Sequence, residues 1–245
     1  MVIESKDNQR FKSWMKLKLK KHRDETNLFL VYGKKLVDLA LAHGVCEEVV
    51  TTNPEIEGTL ISEKLMKELS QTETTFDVMA VCKKVSNPIQ SDKILVLDDV
   101  QNPDNVGALL RSALAFGFKH VILSQKSADL YNEKTIRASQ GAIFDVYVER
   151  LNLVEFLTLK KDEGYQVFGA DAHASKNQPE EGPIILVLGN EGNGLSNEVK
   201  ELANGFINIK TETVESLNVV VAGSILMYEW GKVRWRLVFP HLLII

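Results

Sequence analysis

Cysteine is almost missing from this chain: Cys46 and Cys82 are the only two in 245 residues. That excludes a disulfide-built scaffold, and their separation fits no zinc-binding spacing. A reducing cytosolic setting follows, with both thiols expected as small buried hydrophobes. Long apolar runs are missing too. Nothing approaches the roughly 20 residues a membrane helix needs, and the polar start Met1-Val2-Ile3-Glu4-Ser5-Lys6 has no signal-peptide core. A soluble, cytoplasmic protein without membrane contact is expected. Excess positive charge is also absent, since 29 Lys and Arg face 33 Asp and Glu for a net charge of −4. Any nucleic acid must therefore be held by a local patch rather than by a general basic surface.

Such a patch is present. Eight basic residues and one acid, Asp7, lie between Lys6 and Arg23, with Phe11, Trp14, Met15, Leu17 and Leu19 among them. The spacing predicts an amphipathic helix whose lysine face would lie on an RNA phosphate track, with Lys12, Lys16, Lys20 and Arg23 as contacts. A merely solvated lysine face is the competing reading.

Hydrophobic residues at 44% and charged residues at 25% are ordinary globular usage, and the length suits two modest domains. Strand-like Leu28–Tyr32, a helix from Lys34 stopped by Gly44, strand-like Val45–Thr51, a helix capped by Ser62 and an apolar stretch near Val78 form a first α/β unit over 1–85. Residues 86–92 are polar, contain Pro88 and lack periodicity, as a linker would. Beyond them, apolar strands alternate with helices: Lys93–Leu97, a helix from Asp104, Val121–Leu123, a helix near Asn132, Val146–Val148, Leu153–Glu163, Gln166–Gly169 and Ile184–Leu188. That pattern is an α/β domain over 93–235, with a mainly parallel sheet covered on both faces. Ligands of such sheets sit at the carboxyl ends of the strands. Residues 236–245 form an apolar tail, either a dimer contact or a loose end.

Three segments carry chemistry. In the first, Asn105, Gly107 and Arg111 open a helix after a strand. Gly107 and Arg111 share one face, so the bare glycine leaves room for a partner to reach the guanidinium, although an arginine there also commonly pairs with an acid. In the second, the buried strand ending at Leu188 runs into Gly189-Asn190-Glu191-Gly192-Asn193-Gly194-Leu195-Ser196. This is neither G-x-G-x-x-G nor a P-loop, so its backbone groups suit an adenine edge better than phosphates. A tight turn with Ser196 capping the next helix, or with Glu191 capping the loop's own amides, is the plain alternative. In the third, Ile209 precedes Ser216-Leu217-Asn218 at the mouth of a helix that is apolar nearly all round. Its Val219-Val220-Val221 triplet is poor helix chemistry, which calls for burial on several sides, including by a second subunit.

The order of these residues resembles the SpoU (TrmH-like) family of S-adenosyl-L-methionine-dependent RNA ribose 2′-O-methyltransferases: Asn105, Gly107, Arg111; then Leu188, Gly189, Glu191, Gly192, Gly194, Leu195; then Ser216, Leu217, Asn218, Val219, Ala222. Arg137, Ala138, Ser139, Gly141 and Ala142 add a fourth match. The chain departs at Lys210, where the family usually has proline, and at Val220, where it usually has serine. The resemblance implies a catalytic domain with a trefoil knot, homodimerisation, and an N-terminal ribosomal-protein-like domain that binds RNA, ribosomal RNA in the first place. A tRNA-modifying enzyme and a catalytically silent RNA-binding factor are the alternatives.

It further implies catalytic roles for Arg111, Asn105, Glu191, Ser216 and Asn218. Cofactor contacts would come from Leu188, Gly189, Asn190, Gly194, Ile209 and Leu217, and a further RNA contact from Arg137. Methyl transfer from a sulfonium to a hydroxyl is an in-line displacement that needs alignment and proton removal but no metal. No histidine lies in the motifs. The family's arginine is often assigned as the base, yet arginine holds its proton too tightly for that near neutrality without exceptional surroundings. A bidentate clamp on the adjacent phosphate is the more economical role.

Overall fold

The lysine-rich opening, expected as one helix, is two in the computed structural model: α1 (Gln9–Lys16) and α2 (Lys20–Thr26). Leu19, at φ −96° and ψ 129°, is extended and breaks the helical run between them. Asn8 caps α1, its side chain accepting from the Arg10 and Phe11 amides. The structure describes residues 2–70, 76–84, 86–172, 179–214 and 216–238, with 232–238 by backbone alone.

The N-terminal unit is a four-stranded sheet in the order β1 (Leu28–Tyr32), β4 (Val78–Lys83), β2 (Cys46–Thr51), β3 (Thr59–Leu60). β4 runs antiparallel to both neighbours. Phe11, Trp14 and Leu17 pack from α1 and its end onto one face, with Leu65, Met66 and Leu69 of α4 (Glu63–Leu69). Leu36, Val37 and Ala40 of α3 (Lys34–Ala42) cover the other. Cys82 is buried and Cys46 half-buried, both as free thiols.

The second unit is a six-stranded, wholly parallel sheet, β10-β8-β9-β5-β6-β7. Its strands are β5 (Lys93–Leu97), β6 (His120–Leu123), β7 (Tyr147–Arg150), β8 (Gln166–Ala170), β9 (Ile184–Leu188) and β10 (Gly205–Ile207). Both faces of the central strands are buried, which is why they read as continuous apolar runs. Leu95, Leu97, Leu186 and Leu188 face α5 (Pro103–Phe116) and α9 (Val219–Val238). Ile94, Val96, Ile185 and Val187 face α7 (Leu153–Asp162) and α8 (Asn197–Leu202). Helix α9 continues past residue 235, so the expected domain end falls inside it; the rest of the expected tail, 239–245, lies outside the described residues.

The two units share a core. Phe29 and Val31 of β1 and Leu36 of α3 pack with Ile136 of α6 (Glu133–Ser139) and with Ile143 in the 3-10 turn Ala142–Phe144. Gly141, at φ +101°, lies so close to Leu39 that an added Cβ would sit 2.3 Å from its Cδ1. Arg23, expected as an RNA contact, is not on the surface. Buried at 5% exposure, it donates to the Leu17 and Lys18 carbonyls and pairs with Asp129 of the second unit. A guanidinium that long reaches inward because the α1–α2 break leaves two carbonyls without helical partners.

Candidate active site

The cavity of the second domain forms where β10, β8 and β9 end side by side. It measures about 540 Å³ and is walled by Leu188, Ile207, Ile209, Leu217, Val219 and Leu226. The lining is about as polar as apolar, with Asp171, Lys200, Thr211 and Ser216 among its polar members, and the carboxyl edge of a parallel sheet is the usual place for a ligand.

The loop after β9 is held by its own polar groups. The Asn190 and Gly194 amides exchange hydrogen bonds with each other's carbonyls, at 3.0 and 2.9 Å. Asn190 Oδ1 accepts from the Gly192 and Asn193 amides, and its Nδ2 donates 2.9 Å to the Asp99 carbonyl. Asn190 thus shapes the loop rather than reaching for a ligand with its side chain. Gly189 is required by this closure: a Cβ there would lie 2.3 Å from the Gly194 carbonyl carbon. Glu191 does not cap the loop amides, since Asn190 already does; instead it accepts 2.8 Å from Asn105 Nδ2 on α5. Beneath the loop, buried Asp98 accepts the Ser196 amide at 2.7 Å, so Ser196 is tied down through its backbone rather than acting as a side-chain cap.

A second tier of contacts fixes Asp99, whose φ of 57° is unusual for a non-glycine residue. Its amide donates 2.9 Å to Ser124 Oγ, and the Ser124 hydroxyl donates 2.6 Å to its carboxylate. The loop carrying Ser124 is gathered by half-buried Arg150, which donates to the Ser124, Gln125, Ser127 and Ala128 carbonyls. Burial lowers the Arg150 pKa from its usual value, while Asp129 and Asp24 oppose that shift.

Opposite the loop, Asn218 caps α9, its Oδ1 accepting 2.8 Å from the Val220 amide. Ser216 and Leu217 line the cavity beside it. Lys210 is exposed, and Val220 is half-buried against the core. On α9, Val221, Ile225 and Tyr228 remain 47%, 39% and 47% exposed, so the burial expected on several sides is incomplete within one chain.

Leu188, Gly189, Asn190, Glu191, Gly194, Ile209, Ser216, Leu217 and Asn218 therefore all border one cavity. Asn105 joins through Glu191. Arg111 is exposed on α5 and is not part of the cavity wall. Gly107 is not open for a partner to approach Arg111: α6 fills that space, and a Cβ would lie 2.3 Å from the Thr135 carbonyl oxygen. Sequence reasoning missed Asp171, Ala172 and Lys200 in the wall. Asp171 and Ala172 follow β8 directly, so the strand-end rule pointed to them. Lys200 carried no comparable signal. His22, His43 and His120 pair with Glu25, Asp145 and Glu149, away from the cavity, and His173 and His241 lie outside the described residues. Among the described residues no cluster of metal-ligating side chains occurs.

Of the expected RNA lysines, Lys12 pairs with Asp7 at 2.8 Å and Lys20 with Asp24 at 2.5 Å, whereas Lys16 is exposed. Arg137 is exposed on α6, 3.7 Å from Asp104.

Fold and cavity together define a two-domain α/β protein with a cofactor-type pocket at the carboxyl edge of a parallel sheet and a second α/β unit docked beside it. The chain belongs to the SpoU rRNA methylase family, whose model matches residues 92–228. Residues 8–88 match the MRM3-like substrate binding domain. It is 34% identical over 242 residues to the 23S rRNA (guanosine(2553)-2′-O)-methyltransferase RlmP of Bacillus subtilis, covering 92% of this chain and 97% of that one. Among solved structures, AdoMet-bound rRNA methyltransferase from Sinorhizobium meliloti superposes with a TM-score of 0.83 at 26% identity, covering 100% and 99% of the two chains. The SpoU methyltransferase AviRb from Streptomyces viridochromogenes in complex with AdoMet does so at 0.81 and 26%, covering 93% and 98%.

Proposed function

We propose that this protein transfers a methyl group from S-adenosyl-L-methionine to a ribose 2′-hydroxyl of ribosomal RNA. The observation that carries the reading is the Asn105–Glu191 bond, which ties the helix bearing Arg111 to the lip of the cavity. The cavity suits the cofactor. Its volume is in the range of cofactor sites, its wall offers apolar side chains and polar groups such as Glu191, Asn218 and Ser216 in about equal measure, and Gly189 lets the loop close tightly. When bound, the cofactor supplies an electrophilic methyl on a sulfonium. Leu188, Gly189, Ile209 and Leu217 would hold it from the wall.

The chain's residues then supply alignment. Arg111 clamps the phosphate next to the target ribose with its planar fork, and the 2′-hydroxyl proton passes to a phosphate oxygen or water. Ser216 and Asn218 position the ribose, and Glu191, steered by Asn105, keeps the loop edge in place. A 2′-hydroxyl target also accounts for the choice of RNA over DNA.

Arg111 lies outside its own chain's cavity wall, and α9 leaves an apolar stripe at i, i+4 and i+7 uncovered; both support a homodimer in which two chains complete the site. The expected trefoil knot belongs to the same reading. Supporting it are the place of β9 between β5 and β8, and the return of α9 against α5 and β9 after the chain leaves β10. The test is incubation with tritiated cofactor and separate rRNA and tRNA pools, followed by mapping of the mark. Ribose label in rRNA is expected. Label on a base overturns the ribose assignment, and label in tRNA alone overturns the substrate class.

A further inference from the structure

The basic residues at the start of the chain are largely spent on acids. Besides Lys12 and Lys20, Lys6 pairs with Glu68 at 2.5 Å, Arg10 pairs with Glu48, and Arg23 is buried. An exposed lysine already neutralised by a neighbour gains less from a phosphate, because fewer counterions are released when the phosphate arrives.

A different basic line crosses the junction between the two domains. Lys35, exposed on α3, donates 3.1 Å to Gln140 Oε1 just past α6. Gln140 Nε2 donates 3.0 Å to the Arg137 carbonyl. The Arg137 side chain lies 3.7 Å from Asp104 at the start of α5, beyond hydrogen-bond reach, so its donors stay open, and the next residue, Asn105, holds Glu191 on the cavity lip. Lys134 is exposed one turn before Arg137, on the same face of α6, and no acid pairs with it among the described residues. Each step from Lys35 to the cavity is thus a contact or a chain neighbour. The nearby acids are engaged: Asp38 with Lys34, and Asp145 with His43.

We propose that the substrate RNA strand enters over this junction, its phosphates held by Lys35 from the N-terminal domain and by Lys134 and Arg137 from α6, and is led along α5 to the cavity. The inference rests on the RNA methyltransferase reading above. It assigns the grip on RNA to the seam between the domains rather than to the lysine face of α1 and α2. It also accounts for the tight fit at Gly141 and the shared core, since a track built from both domains works only if they keep a fixed relation.

The test is the salt dependence of binding to a labelled oligouridylate and to a 23S rRNA transcript, measured by anisotropy. The variants are Lys35→Gln, Lys134→Gln, Arg137→Gln and the triple substitution, with Lys21→Gln and Lys83→Gln as controls. Each single change is expected to flatten the slope of log K against log salt by about 0.7 to 0.9, and the triple by about three times that. Cofactor affinity by calorimetry is expected to stay at the wild-type value, which separates a lost phosphate contact from a damaged fold. A triple variant with the wild-type slope overturns the proposal, as does an equal flattening in the controls, which would mean that only bulk charge matters. These slopes need no turnover. Failure of the wild-type protein to methylate rRNA would sink the proposed function while leaving the RNA track separately testable.

Discussion

Asn105 and Glu191 stand 86 positions apart in the chain, and the 2.8 Å bond between them joins helix α5 to the loop after β9. Truncating either side chain removes this link, although Glu191 alone also borders the cavity. Asn105→Ala and Glu191→Ala are expected to lower kcat/KM, and the double variant to lose much less than the sum. The coupling should fall between about 0.5 and 3 kcal/mol in a double-mutant cycle. Additive losses would mean the bond contributes nothing to turnover.

Arg111 lies outside the cavity wall, so its loss should leave the cofactor site intact. Arg111→Ala is expected to cut turnover by at least about a hundredfold with unchanged cofactor affinity by calorimetry. Arg111→Lys should fall nearly as far, because a point charge cannot reproduce a bidentate clamp. Near-normal turnover in the lysine variant would remove both the clamp and the base from consideration.

Gly189→Ala tests the loop. The new Cβ would meet the Gly194 carbonyl carbon and oxygen at 2.3 and 2.5 Å, which are backbone atoms that cannot rotate away. The loop must open, and cofactor binding should drop below detection in calorimetry while far-ultraviolet circular dichroism stays native. Normal binding would show that the hairpin of Asn190 and Gly194 is not what shapes the site.

The parallel sheet was legible in the sequence because strands buried on both faces announce themselves as apolar runs, as Ile184–Leu188 does. The cavity wall was legible from motifs around Gly189 and Leu217, since those residues border the cavity themselves. What stayed hidden was partner choice over long separations. Nothing local marks Arg23 as the mate of Asp129, 106 residues on, or tells that α6 rather than a ligand fills the space beside Gly107. Helical periodicity likewise saw the lysine-rich stretch as one face, because the break at Leu19 lies in its dihedrals and not in any proline or glycine.

Arg23 and Asp129 give an asymmetric prediction. Removing the acid strands a guanidinium that is 5% exposed but leaves its two carbonyl bonds in place, whereas replacing the arginine strands the Asp129 carboxylate and the Leu17 and Lys18 carbonyls together. Asp129→Ala is expected to cost about 3 to 5 kcal/mol in urea unfolding, and Arg23→Met distinctly more. Equal costs would mean that the two carbonyl bonds add nothing to the pair.

The junction also carries a pH-dependent contact. His43 Nδ1 faces the Leu39 carbonyl at 2.8 Å and Nε2 faces Asp145 Oδ1 at 3.1 Å, with the ring stacked on Phe144. Two acceptors, one at each ring nitrogen, are both satisfied only by the imidazolium. The Leu39 carbonyl first, and the Asp145 carboxylate second, raise the pKa above the usual 6.5. A group whose folded pKa is raised stabilises the folded state fully below its unfolded value and loses that contribution as pH climbs through the folded one. The Tm of the wild-type protein should therefore exceed that of His43→Asn near pH 6, and the gap should close as pH rises through and beyond neutrality. The difference between the two proteins cancels the contribution of every group that both retain. A gap that is constant across this range, or that widens with pH, would show that the neutral ring makes the contact and that the carboxylate of Asp145 adds nothing to the docking of the domains.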